Sequence, residues 1–244
     1  MNLRKTIAVL SIVLVVMTGT SLGAATPEET FRKNFPDIRL DSIIPTAVTG
    51  IYEIVSDGRI AYYAPGPEYL ILGSLITKER RNLTEERVRE IEERAGEIMA
   101  RKLKEIPLEQ ALKIGSGPHT VIEITDPDCS YCRKASSFLS ARNDVTRHVF
   151  FFPLSIHPNA EAKIRYIFCA ADRALAYEEA MTGKLDDMKF RPCDDAAVAA
   201  LVQSHKEIGA RVGVTGTPLF LIDGQVVGGA DIPQMEKILG SKVK

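Results

Sequence analysis

The sequence predicts an α+β protein with two folded units joined by a long helix. Three observations carry that reading. Residues 31–76 hold short β-rich runs separated by turn signals. Residues 84–105 repeat apolar residues at helical spacing among many charges. Residues 118–242 alternate strand-like and helix-like segments, the order of a mixed sheet covered by helices. The division that follows is a leader over 1–25, a small N-terminal domain over 26–80, a connector helix over 81–106 and a larger α/β domain with a helical insertion over 107–244. The chain has 244 residues, 45% hydrophobic and 26% charged, which suffices for buried cores and excludes low-complexity disorder.

The first residues read as an address. Arg4 and Lys5 precede an uncharged, mostly apolar run from Thr6 to Met17. Small residues follow, with Gly23 and Ala25 placed for cleavage after Ala25. That order is a secretory signal peptide. The other reading is an uncleaved anchor, which Thr18, Gly19, Thr20 and Ser21 weaken. No later stretch is apolar enough to span a bilayer as a helix. Export places the four cysteines, all beyond residue 128, in an oxidising compartment. The 31 Lys+Arg balance 32 Asp+Glu for a formal net charge of -1, which argues against a dedicated nucleic-acid binder.

The N-terminal domain reads as a meander. Gly50 to Ser56 is β-rich, Asp57-Gly58 is a hairpin signal, and Arg59 to Tyr63 returns. Ala64 to Pro67 turns again, before a strand from Tyr69 to Leu72. So small a sheet buries little and exposes its edges. It needs a partner, and a second copy of the chain is the simplest one. Thr84 is placed to cap the following helix, with Glu85 and Glu86 in its first turn. Val88, Ile91, Ala95, Ile98, Met99 and Leu103 mark its apolar face.

The larger domain begins with a β-branched strand from His119 to Thr125. A helix from about Cys129 to Ala141 and a strand from Val149 to Leu154 come next. Residues 159–209 read mostly as helix, broken between Gly183 and Pro192. A hairpin over 219–227 turns at Asp223-Gly224, and Asp231 caps a last helix through Leu239.

Chemistry concentrates in Cys129-Ser130-Tyr131-Cys132, a C-x-x-C where a strand ends and a helix begins. Cys129 falls at the helix N-terminus, where free N–H groups and the dipole stabilise a thiolate. Cys132, one turn on, is the more buried of the two. One sulfur is thus suited to attack and the other to resolve. A structural bridge and half of a zinc site are the other readings, though zinc wants two further ligands and no second C-x-x-C exists. No metal or other cofactor is expected. Cys169 and Cys193 lie 24 positions apart. Paired with each other they form a structural bridge; free thiols or a second redox pair are the alternatives. Thr217-Pro218 precedes a strand, where a cis bond is uncommon on base rate alone.

Taken together, the leader, the N-terminal β domain, the connector helix, the Asp126-to-Cys132 motif (DxxCxYC), the second cysteine pair and Gly213 to Pro218 (GVTGTP) resemble the periplasmic disulfide isomerase family of DsbC and DsbG. The resemblance covers nearly the whole chain after the leader. It implies a thioredoxin fold, a homodimer joined through the N-terminal domains, and a cis Thr217–Pro218 bond packed on the active cysteines. It implies that the Thr217 backbone pairs with a bound client peptide. It also implies misoxidised client proteins as substrates and a DsbD-like membrane thiol reductase as electron donor. Ser130-Tyr131 departs from the family's familiar Gly-Tyr, and these two residues tune the redox balance. Glu123, six residues before Cys129, matches a buried acid of thioredoxins; buried, it would relay a proton for Cys132, whereas at the strand end it would reach solvent. His119 and His157 receive no role.

The function expected is therefore an exported thiol–disulfide isomerase with chaperone activity. The alternatives are a dedicated oxidant or reductase, or a chaperone that does not need its cysteines.

Overall fold

The computed structural model describes residues 25–186 and 190–240. The expected leader lies outside the described residues except for Ala25. The chain divides into two compact units between Val88 and Arg89.

The first unit opens with helix α1 (Pro27–Asn34). This corrects the purely β reading of residues 31–76. Thr26 and Glu29 form a capping box, and Pro27 occupies the first turn, where its missing N–H costs nothing. Four antiparallel strands follow in sequence order: β1 (Ser42–Pro45), β2 (Tyr52–Ser56), β3 (Arg59–Ala64) and β4 (Tyr69–Ile71). Asp57 and Gly58 both have positive φ, 48° and 74°, which fits a two-residue turn matched to strand twist. Phe31 and Phe35 pack on Tyr63 at ring centroid distances of 5.2 and 5.9 Å, and Ile54 completes the small core.

Helix α2 (Leu83–Lys104) crosses the boundary between the units. Its cap is Asn82, whose Oδ1 accepts the Glu85 N–H, not Thr84. The Thr84 hydroxyl is buried instead against Tyr62 Oη and the Leu75 N–H.

The second unit holds a mixed five-stranded sheet. Its elements are β5 (Leu112–Gly115), β6 (His119–Thr125), α3 (Ser130–Ser140), β7 (Val145–Phe151), α4 (Ala160–Cys169), α5 (Arg173–Met181), α6 (Ala196–Val212), β8 (Leu219–Ile222), β9 (Gln225–Gly228) and α7 (Ile232–Leu239). The strand order is β5-β7-β6-β8-β9, and only the β6–β7 pair is parallel. Strand β5 has no counterpart in the sequence reading. Strand β7 covers 145–151 rather than 149–154, because Val145, Arg147, Val149 and Phe151 alternate inward over the earlier span. Period-two alternation along β6 sends Val121 toward α3 and α7, where Ala135, Leu139, Met235 and Leu239 bury it. Ile122 and Ile124 pack in another cluster, with Leu103, Ile208 and Val212. Gly209 of α6 lies so close to the Phe152 ring that a Cβ would stand 2.2 Å from it.

Candidate active site

Strand β6 ends in the middle of the sheet and delivers the chain into the loop 126–128 before α3. Cys129 is the N-cap residue of α3 and is 6% exposed. The first N–H groups of a helix lack intrahelical partners, so this sulfur sits at the positive end of α3. Cys132 is one turn further and fully buried. Both are free thiols. Ser130 and Tyr131 are exposed, Tyr131 strongly so.

The second wall is the segment before β8. Thr217–Pro218 is cis. The Cys129 thiol donates to the Thr217 carbonyl at 3.4 Å. Burial pushes the Cys132 thiol far up, more than the hydroxyls of Thr125 and Thr217 and the Asp126 N–H can offset. Of these, the Asp126 N–H makes the clear contact, 3.4 Å from the sulfur; the two hydroxyls are buried without a well-formed hydrogen bond. Cys132 therefore stays a protonated thiol at neutral pH.

Glu123 is fully buried, and it does not lie open beneath the cysteines. Its Oε2 accepts from Arg147 Nε and Nη2 at 3.1 and 2.8 Å, and its Oε1 from Tyr177 Oη at 2.9 Å. Arg147 also donates to Ser136 of α3 at 3.1 Å. Although burial opposes its charge, Glu123 and Tyr177 hold the Arg147 guanidinium more firmly protonated than usual. Of the two positions expected for Glu123 the structure shows the buried one, and with Arg147 on Ser136 the group ties α3 to the sheet.

Asp126 is the site residue that sequence reasoning passed over. It is fully buried, and its carboxylate accepts from the Asp128 N–H at 2.8 Å and the Leu154 N–H at 2.7 Å. His157 Nδ1 stands 2.8 Å from the same carboxylate. One side chain thus ties the cysteine loop to the loop after β7, while its own N–H meets the resolving sulfur. The signal was its place in DxxCxYC; the histidine partner lies too far along the chain to be read.

Cys169 and Cys193 form a disulfide with Cα atoms 6.2 Å apart. It joins the end of α4 to the segment before α6. Among the described residues, no group of three or more His, Cys, Asp or Glu side chains is placed to hold a metal ion. No described helix is long and apolar enough to cross a membrane.

A buried thiol behind an N-capping thiol, both beside Thr217 of a cis Thr217–Pro218 bond, is an arrangement suited to thiol–disulfide exchange. The thioredoxin-like domain model matches residues 107–241, over half of the chain, and the chain belongs to that family. The model of the disulfide bond isomerase protein N-terminal domain matches residues 20–85. The chain is 28% identical over 196 residues to the probable thiol:disulfide interchange protein DsbC of Bordetella avium, covering 79% of this chain and 65% of that relative. It is 24% identical over 208 residues to the thiol:disulfide interchange protein DsbC of Escherichia coli, covering 82% of this chain and 80% of that one. A disulfide interchange protein from Neisseria gonorrhoeae aligns with a TM-score of 0.48 and 28% identity, over 55% of this chain and 96% of that one. The chain spans just under two thirds of the Bordetella avium relative's length.

Proposed function

We propose that this protein is an exported thiol–disulfide isomerase that acts on misoxidised client proteins. The observation that carries this reading is the Cys129 thiol on the Thr217 carbonyl, with Cys132 buried behind it. The match of residues 20–85 to a disulfide bond isomerase N-terminal domain supports isomerase over other exchange roles. Deprotonated Cys129 attacks one sulfur of a client disulfide. A bond forms between Cys129 and that sulfur, and the second client sulfur leaves as a thiolate. Another client thiolate then attacks the mixed disulfide, which restores Cys129 and leaves the client re-paired. Alternatively Cys132 loses its proton and attacks Cys129, which gives an enzyme disulfide and a client reduced by two electrons. A membrane thiol reductase of the DsbD type then returns two electrons and two protons. Export, the homodimer and chaperone activity belong to the same proposal.

The test is reactivation of a scrambled-disulfide substrate in a glutathione buffer. The parent is expected to restore activity, and C129S is not. C132S is expected to accumulate the mixed disulfide, seen as a client adduct on non-reducing gels. No reactivation by a parent whose Cys129–Cys132 pair cycles normally would transfer the assignment to a dedicated oxidant or reductase. Equal holding of unfolded client by parent and C129S, without reactivation by either, would leave a chaperone.

A further inference from the structure

A charge cluster lies directly before the nucleophile. Lys163 of α4 is buried, its side chain 4% exposed, and its ammonium is hydrogen-bonded to both Asp128 and Asp186. Arg133, the residue after Cys132, grips the same two acids. Its Nη1 and Nη2 donate to the two oxygens of Asp186 at 2.6 and 2.7 Å, and Nη2 also reaches Asp128 Oδ1 at 3.3 Å. Its Nε donates to the Pro127 carbonyl at 2.7 Å. Two acids and two bases thus alternate, with no net charge. The Arg133 hydrogen bonds, opposed by burial and aided by Lys163, hold the Asp186 carboxyl down at about 2. The cluster forms the charged wall of a cavity of about 490 Å³ that Ile156, His157 and Phe190 also line.

Burying an ammonium is costly, and this one has no role in the exchange steps above. Asp128 gives it one. Asp128 is joined to Cys129 by a peptide bond, so their Cα atoms are about 3.8 Å apart. The dithiol form exchanges through a thiolate at Cys129; the disulfide form has none. A carboxylate on the residue before that thiolate opposes the reduced, attacking state through its field, and a cation opposes the carboxylate. We propose that Lys163 is a positioning residue that neutralises Asp128 and so sets the oxidising strength of the Cys129–Cys132 pair. The proposal rests on the exchange chemistry proposed above. It does not depend on which client disulfides are exchanged.

The experiment measures the equilibrium of the purified protein with glutathione: enzyme disulfide and two glutathiones against enzyme dithiol and one glutathione disulfide. It compares K163M, D128N and K163M/D128N with the parent. K163M leaves one net negative charge beside Cys129 and is expected to shift the balance toward the enzyme disulfide by about three- to tenfold. Tenfold corresponds to a potential about 30 mV more negative. D128N leaves one net positive charge and is expected to shift it by a similar factor the other way. The double variant is expected to return to within about twofold of the parent. Alkylation of Cys129 at pH 7 should slow in K163M and quicken in D128N. A mere packing fault would move K163M and the double variant together, so that result overturns the proposal. So do shifts of one sign in both single variants, or no shift in either. If K163M fails to fold, as judged by its melting transition, D128N decides alone. No client is present, so failure here is separate from failure of the reactivation assay.

Discussion

At the scale of single residues, the site divides labour by depth. Cys129 caps α3 at the mouth, while Cys132 lies one turn inside with its thiol held protonated by burial. Much of that was legible, because C-x-x-C after a β-branched strand fixes which sulfur meets the helix N-terminus. The fate of Glu123 was not. Its six-residue offset from Cys129 left burial and the solvent-facing strand end both open, and Arg147 and Tyr177 come from other elements, 24 and 54 positions away. No local pattern announces that they converge. Their convergence has a measurable consequence. Removing one partner of a buried pair strands the other, at about 3–5 kcal/mol. R147M is therefore expected to lower unfolding free energy by that amount in urea. E123Q/R147M, which leaves no stranded charge, is expected to recover at least about half of the loss. Equal losses in the two would show that Arg147 acts by packing rather than as the partner of Glu123.

At the scale of elements, the second unit is knitted by side chains that bridge strands and helices. His205 of α6 is the clearest case. It accepts the Phe151 N–H at Nδ1, 3.1 Å away, and donates from Nε2 to the Gln110 carbonyl at 2.9 Å. The first bond needs the neutral ring, while the second survives protonation. Burial lowers its pKa, although the Gln110 carbonyl opposes this. The sign follows: the unfolded chain takes up the proton near pH 6.5 and the folded chain only at lower pH. Stability from His205 is thus present above about pH 6.5 and lost as pH falls toward the lowered value, at no more than about 1.4 kcal/mol per pH unit. His148 is lowered by burial too and adds a loss of the same sign. H205Q is expected to cut the slope of stability against pH between about 6.5 and 5 in denaturant titrations. An unchanged slope would remove His205 from the account. The elements themselves were unevenly legible. Asp57-Gly58 and Asp223-Gly224 announced their hairpins, and all four residues have positive φ. Helix α1 carries a capping signal in Thr26-Pro27-Glu28-Glu29, but it follows the expected leader directly in sequence, so the signal merges with the leader's small-residue end. Strand β5 is four residues whose pairing with β7 is set by tertiary structure.

At the scale of the whole molecule, the two units call for different kinds of support. Among the described residues, the second has three buried clusters and a disulfide. The first has, among its described residues, one cluster built on Phe31, Ile54 and Tyr63, and a four-stranded sheet with β1 and β4 at its edges. Tyr69 and Ile71 on β4, with Leu72 and Ile76 beyond it, are exposed. An edge carrying apolar side chains is a template for another strand, and soluble proteins seldom leave one bare. The proposed homodimer answers this: two copies would pair through this unit and bring two Cys129 sites to one client. Tethering a second site raises its effective concentration without any new contact at the first. Deleting residues 26–80 is then expected to leave a monomer by sedimentation. Its cysteine pair is expected to equilibrate with glutathione as the parent's does, because both thiols, Asp126 and Pro218 lie in the second unit. Reactivation of a scrambled substrate, in contrast, is expected to fall by at least about tenfold, a floor set below the roughly hundredfold or more that tethering can add. A truncated monomer that reactivates as fast as the parent would place isomerisation in one exchange site alone, and the first unit would need another purpose.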